Sequence, residues 1–319
     1  REEESNFDIV GIKKEGASSY HLSSPPSSHV NALSFAFSPP PFPIDCFELQ
    51  WDQFVPEKVA GALTHHEFGI FREITSEELL FWNTKERERC PHVKAMIKLS
   101  TKVSSWVISE LVKRVKIRDR VFLFEKFVLL SEILLDLNNF SGCMAVLGGL
   151  GSSAFYRMKK TWGEIDRDVI GRYEKIRAIM SHRSSYGAYR AYVKGVVPPG
   201  IPYIGVSLSD LTFMYDGNPD PKDGEGLLNF KRWILMARVI EDVKLFQKAS
   251  YDNLCEPGES TQFFHALNNF ETLGERQTHQ YSKIVDSDDG EGMETLLKLY
   301  EESVKKVNDL EKKIGREKE

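Results

Sequence analysis

Pro202-Tyr203-Ile204-Gly205-Val206-Ser207-Leu208-Ser209-Asp210-Leu211-Thr212-Phe213-Met214-Tyr215-Asp216-Gly217-Asn218-Pro219 is the stretch around which the chain is best read. Pro202 and Gly205 punctuate an extended approach. Ser207 then reads as the cap of a short helix, Asp210 falls three residues on in the reciprocal position of a capping box, and Gly217 with Asn218-Pro219 supplies the stop. Along that helix Leu208, Leu211 and Tyr215 share one side, while Thr212 and the terminal Asp216 give the other side a small hydroxyl and a carboxylate. A carboxylate at a helix C-terminus opposes the helix dipole, so a purely stabilising role for Asp216 is unnatural.

Working outward, the periodicity is helical almost throughout. Val93, Met96, Ile97, Leu99, Val103, Trp106, Val107 and Leu111 occupy one arc of a long helix, with Ile97 at its edge. From Val121 to Leu137 nearly every direction is apolar, and Glu125, Glu132 and Asp136 form a narrow polar seam, which marks a central helix. Thr75 and Glu78 form a capping-box pattern. Val169, Ile170, Tyr173, Ile176, Ile179 and Met180 have helical spacing, Val196-Val197-Pro198-Pro199-Gly200 breaks the chain before Pro202, and Trp233, Ile234, Ala237, Ile240, Val243 and Phe246 suggest an amphipathic helix after it.

Composition narrows the function classes. A hydrophobic fraction of 41% and a charged fraction of 28% suit a globular protein, and a net charge of −5 gives no general attraction to nucleic acid. Cys46, Cys90, Cys143 and Cys255 are too scattered for a disulfide framework or zinc site. His65-His66-Glu67 lacks the spacing that puts two imidazoles on one helix face, so no metal is expected. The apolar run from Val121 is interrupted by charges and is no membrane span. Gly149-x-Gly151-x-x-Ala154 formally fits a dinucleotide-binding fingerprint, but a helical pattern precedes it where a strand is needed, so no cofactor is expected. Without an initiator methionine the chain reads as a fragment.

Several motifs, in order, resemble the catalytic domain of Ras-type guanine nucleotide exchange factors. They are Leu63-Thr64-x-x-Glu67-x-x-x-Phe71, Leu137-Asn138-Asn139-Phe140, Gly149-Leu150-x-Ser152-Ser153, Arg157-Met158-Lys159-Lys160-Thr161-Trp162, Tyr186-x-x-Tyr189-Arg190, the block from Pro202 to Pro219, and Leu227-Leu228-Asn229-Phe230-Lys231. The resemblance covers roughly Phe47 to Phe270. It implies an all-α, multi-helix RasGEF domain with a protruding helical hairpin, spanning 45–285. Before it, 1–44 is a Ser/Pro-rich linker holding six of the fourteen prolines, a composition that favours extended chain. After it, 286–319 is an acidic linker and a C-terminal helix, whose heptad-like Met293, Leu296, Tyr300, Val307, Leu310 and Ile314 suit docking on the same domain or pairing with a second copy.

The resemblance also implies a function and its residues. The expected partner is a Ras-subfamily GTPase of Ras, Rap or Ral type, and the expected activity is promotion of GDP release without covalent chemistry. Thr212 and Asp216 match the positions that disturb the magnesium and phosphate site. Ile97, Met144, Gly151, Ser152, Tyr186 and Tyr203 match positions that contact the GTPase. Gly151 departs from the family's usual asparagine, and Asp216 is one methylene shorter than its usual glutamate. These departures, with Tyr215 in an unusual place, motivate a second reading, a catalytically silent adaptor of the same fold. The expected location is cytoplasmic, with recruitment to membranes where the GTPase resides.

Overall fold

The computed structural model describes residues 55–219, 228–251, 254–255, 258–287, 298, 301–303 and 305–306. The first ten residues of the expected domain (45–54), the first linker, and most of the acidic linker and C-terminal helix lie outside them. Among the described residues every regular element is a helix, as expected of an all-α domain, and the single exception is one isolated parallel bridge between Asn139 and Ile201.

A largely apolar helix lies in the core. Helix α4 (Ile117–Asp136) buries Leu123, Phe124, Phe127, Val128, Leu130, Leu134 and Leu135. Around it pack α1 (Pro56–Arg72), α3 (Pro91–Lys113) and α5 (Phe140–Leu150). Trp106 of α3 meets Phe127 edge-on, with ring centroids 5.2 Å apart. A Cβ at Gly149 would come within 2.6 Å of the Val107 side chain, so the bare backbone there lets α5 close on α3. The seam on α4 is used where Glu132 takes a two-point ion pair from Arg172 of α8 (Arg167–Ile179).

Two short helices link α5 to α8: α6 (Ser153–Tyr156) and α7 (Lys159–Glu164). Helix α9 spans Arg183–Val193, α10 Ile204–Gly217, α11 Phe230–Gln247, α12 Glu259–Asn269 and α13 Glu275–Val285. At the end of α13, Asp286 and Ser287 are still engaged. The Asp286 carboxylate accepts from the backbone amides of Lys160 and Thr161 and from the Thr161 hydroxyl. It also lies 3.6 Å from the buried Arg120 guanidinium. Tyr281 donates to Glu301, so the C-terminal helix contacts its own domain at that point.

A second apolar cluster joins the start of the domain to α10 and α11. Phe68, Phe71, Ile74 and Leu79 pack with Val93 and Met96, with Ile201, Ile204, Leu208 and Leu211, and with Met236, Ile240, Val243 and Phe246. Helices α10 and α11 thereby pack on each other and on the body. The buried stripe of α11 runs Met236, Ile240, Val243, Phe246, whereas Trp233, Ile234 and Ala237 face out. The expected stripe is therefore right in its second half and rotated outward in its first.

Two expected capping boxes form differently. The Thr75 hydroxyl accepts from the Glu78 amide and caps α2 (Ser76–Phe81), but the Glu78 carboxylate turns away. It accepts from the His92 and Val93 amides at the start of α3 and contacts the His92 ring. Helix α10 begins a turn earlier than expected, at Ile204, which leaves Ser207 and Asp210 inside it. Its start is set by a tertiary contact, the Tyr203 amide donating to the Tyr189 hydroxyl at 2.8 Å.

Candidate functional site

The motif residues that are not themselves candidates for contact explain how the candidates are held. After α4, Asn138 takes a left-handed turn, with φ 56°, and its amide donates to the Pro199 carbonyl. Asn139 accepts from the Gly142 amide to cap α5, while its Nδ2 donates to Thr64 and Glu67. Phe140 N and Ser141 N both donate to the Ile201 carbonyl, and Ile201 N donates to Asn138 O. The chain leading into Tyr203 is thus stitched to the buried turn between α4 and α5. Burial raises the Glu67 carboxyl to about 7, against the opposing hydrogen bonds from Ser141 and Asn139.

Tyr203 follows directly. Its ring folds back over Gly205, where a Cβ would sit 2.8 Å from Cζ, so Pro-x-x-Gly is the spacing that lets the ring lie flat on the helix start. The Tyr186 ring stands 5.8 Å from it, and an aromatic series runs on through Tyr189 to the core residue Phe140. Burial and the neighbouring Tyr186 hold the Tyr203 hydroxyl above its ordinary pKa, so it stays a neutral donor at physiological pH. Both rings are half-buried, with apolar bodies packed and edges open.

Tyr186 sits in an unusual backbone. Within α9, Ser184, Ser185 and Tyr186 have φ of 51°, 52° and 63°, a left-handed turn interrupting the helix. Each such residue costs roughly 1–2 kcal/mol relative to the right-handed form, so the turn needs external anchors. Arg190 provides one, donating from Nε to the Ser185 carbonyl and from its two terminal nitrogens to the Asp210 carboxylate.

On α10, Thr212 and Asp216 are one turn apart. The Thr212 oxygen lies 2.6 Å from Asn83 Oδ1 and 2.8 Å from the Leu208 carbonyl. One hydroxyl proton serves one acceptor. Turning the Asn83 amide, so that Nδ2 donates to Thr212 while Thr212 donates to Leu208, satisfies both contacts and employs a buried nitrogen otherwise without a partner. Asp216 is exposed, and among the described residues no side chain pairs with it. Beyond α10, Asn229 caps α11 and its Nδ2 donates to the Asn218 and Pro219 carbonyls, tying the end of one helix to the start of the next.

The other expected contact residues lie on α3, on α5 and directly after α5. Ile97 is 38% exposed on α3, and Met144 on α5 is half-buried against the core. Gly151 is the exposed C-cap of α5 with φ −84°, and Ser152 caps α6 by accepting from the Ala154 amide. The structure brings Tyr186 to Tyr203 and sets Thr212 and Asp216 on one helix. Ile97 and Met144 occur on helices that pack directly, and Gly151 adjoins Ser152. Sequence reading missed Asn83 and the tertiary use of Asp210. Asn83 carries no motif, and the spacing of Asp210 imitates a cap.

The dinucleotide fingerprint finds no counterpart in geometry, because Gly149 lies inside α5 and no strand precedes it among the described residues. No group of His, Cys, Asp and Glu that could hold a metal occurs among the described residues.

Comparison with known proteins agrees with this architecture. A family model described as the RasGEF domain matches residues 58–234. Ras guanine nucleotide exchange factor P of Dictyostelium discoideum is 37% identical over 228 residues, covering 70% of this chain and 15% of that protein. Exchange factor R of the same organism is 38% identical over 194 residues, 60% of this chain and 11% of the relative. Exchange factor J is 36% identical over 200 residues, 61% and 24% respectively. The chain therefore spans a quarter or less of the length of these relatives. With its helices, its ordered motifs and this match in accord, the chain belongs to the RasGEF domain family.

Proposed function

We propose that this domain promotes GDP release from a Ras-subfamily GTPase, with the α3–α5 face and the Tyr186–Tyr203 pair gripping the GTPase and α10 acting as the wedge. The observation that carries this reading is the contrast along α10. Its middle is pinned by Asn83 and Arg190, while the carboxylate at its end is exposed and free of pairing among the described residues. A helix fixed at mid-length and bearing an uncommitted charge at its tip is built to press that charge against another molecule.

Exchange is linkage. A partner that binds the nucleotide-free GTPase better than the loaded form weakens nucleotide binding by the same factor. Each tenfold requires about 1.4 kcal/mol of differential contact. Asp216 supplies such contact by repelling phosphate and by taking hydrogen-bond donors left by the departing nucleotide. Thr212 offers a compact hydroxyl one turn earlier. Ile97, Met144, Gly151 and Ser152 supply grip, and Tyr186 and Tyr203 bring large, rigid surface with wet hydroxyls. The domain acts in the cytoplasm and reaches membranes through its GTPase. No described helix is long and apolar enough to cross a membrane.

Release of fluorescent GDP from a panel of Ras, Rap and Ral proteins tests the proposal. Acceleration with at least one member is expected, and none with any member would overturn it. The adaptor reading is favoured by Gly151 in place of asparagine. It predicts no capture of nucleotide-free GTPase, and such capture would remove it.

A further inference from the structure

Arg190 stands where the two parts of the candidate surface meet. Its Nε donates to the Ser185 carbonyl at 2.8 Å, and its Nη1 and Nη2 donate to Asp210 Oδ2 and Oδ1 at 2.6 and 2.8 Å. One planar group thus holds the turn that presents Tyr186 by its inner edge and the middle of α10 by its outer fork. That turn is left-handed at Ser184, Ser185 and Tyr186, a conformation L residues keep only where their surroundings over-determine it. Its other anchors are the Tyr186 amide on the His182 carbonyl, at 3.3 Å, and the Tyr186 ring on Tyr203.

The ion pair is partly open, with 38% and 22% of the two side chains exposed. Pairs so placed contribute modestly to folding, which leaves geometry as the main effect of the arrangement. Lysine would keep the charge but not the fork plus third bond, since its ammonium is a point donor on a flexible stem. Asp210 is two residues from Thr212 and six from Asp216 on one rigid helix, so a tilt at Asp210 reaches both.

We propose that Arg190 is a positioning residue that couples the Tyr186 turn to α10, so that a GTPase seated on Tyr186 and Tyr203 shifts the helix bearing Thr212 and Asp216. The coupling deepens the function proposed above and rests on it. The contacts nevertheless exist without a partner, so they can be tested in the free protein.

Amide hydrogen exchange of the free protein would be compared for wild type, Arg190→Lys, Asp210→Asn and the swap of Arg190→Asp with Asp210→Arg. Maximal GDP release at saturating exchange factor, and the concentration giving half of it, would be measured alongside. Arg190→Lys is expected to speed exchange of the 184–187 amides about tenfold or more. It should lower maximal release about tenfold while changing the half-saturating concentration less than threefold. Asp210→Asn keeps the Ser185 contact, so it should loosen α10 and leave the turn protected. The swap restores a charge pair but no donor to Ser185, so thermal stability should recover without the turn's protection or the maximal rate. Wild-type protection of the turn in Arg190→Lys, an effect on half-saturation alone, or full activity of the swap would each overturn the coupling. A wild type inactive on every GTPase would remove the exchange reading and the proposed coupling to a GTPase, leaving the hydrogen-exchange arm to decide the mechanical link alone.

Discussion

Asn139 Nδ2 lies 3.0 Å from Glu67 Oε2 inside a site sealed from solvent, and the Ser141 hydroxyl completes the carboxyl's surroundings at 2.7 Å. No cation compensates a Glu67 charge among these contacts, which is why burial lifts its pKa from 4.5 to about 7. The folded state therefore holds this proton more tightly than the unfolded chain. Its contribution to stability is complete below about 4.5 and is lost as pH rises through about 7. A shift of that size corresponds to roughly 3 kcal/mol. Chemical denaturation from pH 4.5 to 8 should show the decline, and Glu67→Gln should flatten it. An unchanged slope in the variant would place the pH dependence elsewhere.

Asp216→Ala should leave folding stability within about 0.5 kcal/mol, because the side chain is exposed and unpaired among the described residues. GDP release should fall about tenfold or more. Equal loss of stability and rate would return Asp216 to a structural role.

Gly151 needs no special backbone, since its φ is −84°, and a Cβ there would meet only the Leu147 carbonyl, at 3.1 Å, and the Tyr173 hydroxyl, at 3.8 Å. Gly151→Asn should fold with less than about 1 kcal/mol of change after a small local shift. It should raise affinity for nucleotide-free GTPase severalfold, read by titration. No gain would show that the departure from the family's asparagine is immaterial here.

Asp286→Ala removes the acceptor for two α7 amides and the partner of buried Arg120. Loss of one member of a buried pair costs about 3–5 kcal/mol, and thermal melting should register it. Asp286→Asn keeps one acceptor oxygen and should cost less.

How much of this was legible depends on the range of the interaction. The apolar arcs of α3 and α4 could be read because each is a periodicity, whereas Gly217, expected as the stop of α10, is its last helical residue and Asn218 is the C-cap. The Ser207–Asp210 spacing could not be decided locally, since a capping box and two residues of one helix face share the same separation. What decided it was the Tyr189 hydroxyl on the Tyr203 amide, 14 residues away. Glu78 likewise bypassed its own cap for α3. Trp233 and Ile234 face outward because Met236 fixes the phase of α11 against α10, and their apolar character gave the opposite expectation. Among the candidates, the Tyr186–Tyr203 contact joins distant motifs, and Asn83 had no signal at all.

The clasp at Asp286 also sets an order of events at the ribosome. The Thr161 amide waits 125 residues for its acceptor. At about 5–20 residues per second, roughly 6–25 seconds of synthesis separate the two. During that interval the guanidinium of Arg120 and the start of α7 lack their carboxylate, so a nascent chain can collapse around α4 without being finished. The acidic residue that looks like the beginning of a tail thus closes contacts opened 125 residues earlier, and a chain terminated a few codons upstream should leave the Lys160 and Thr161 amides without that acceptor.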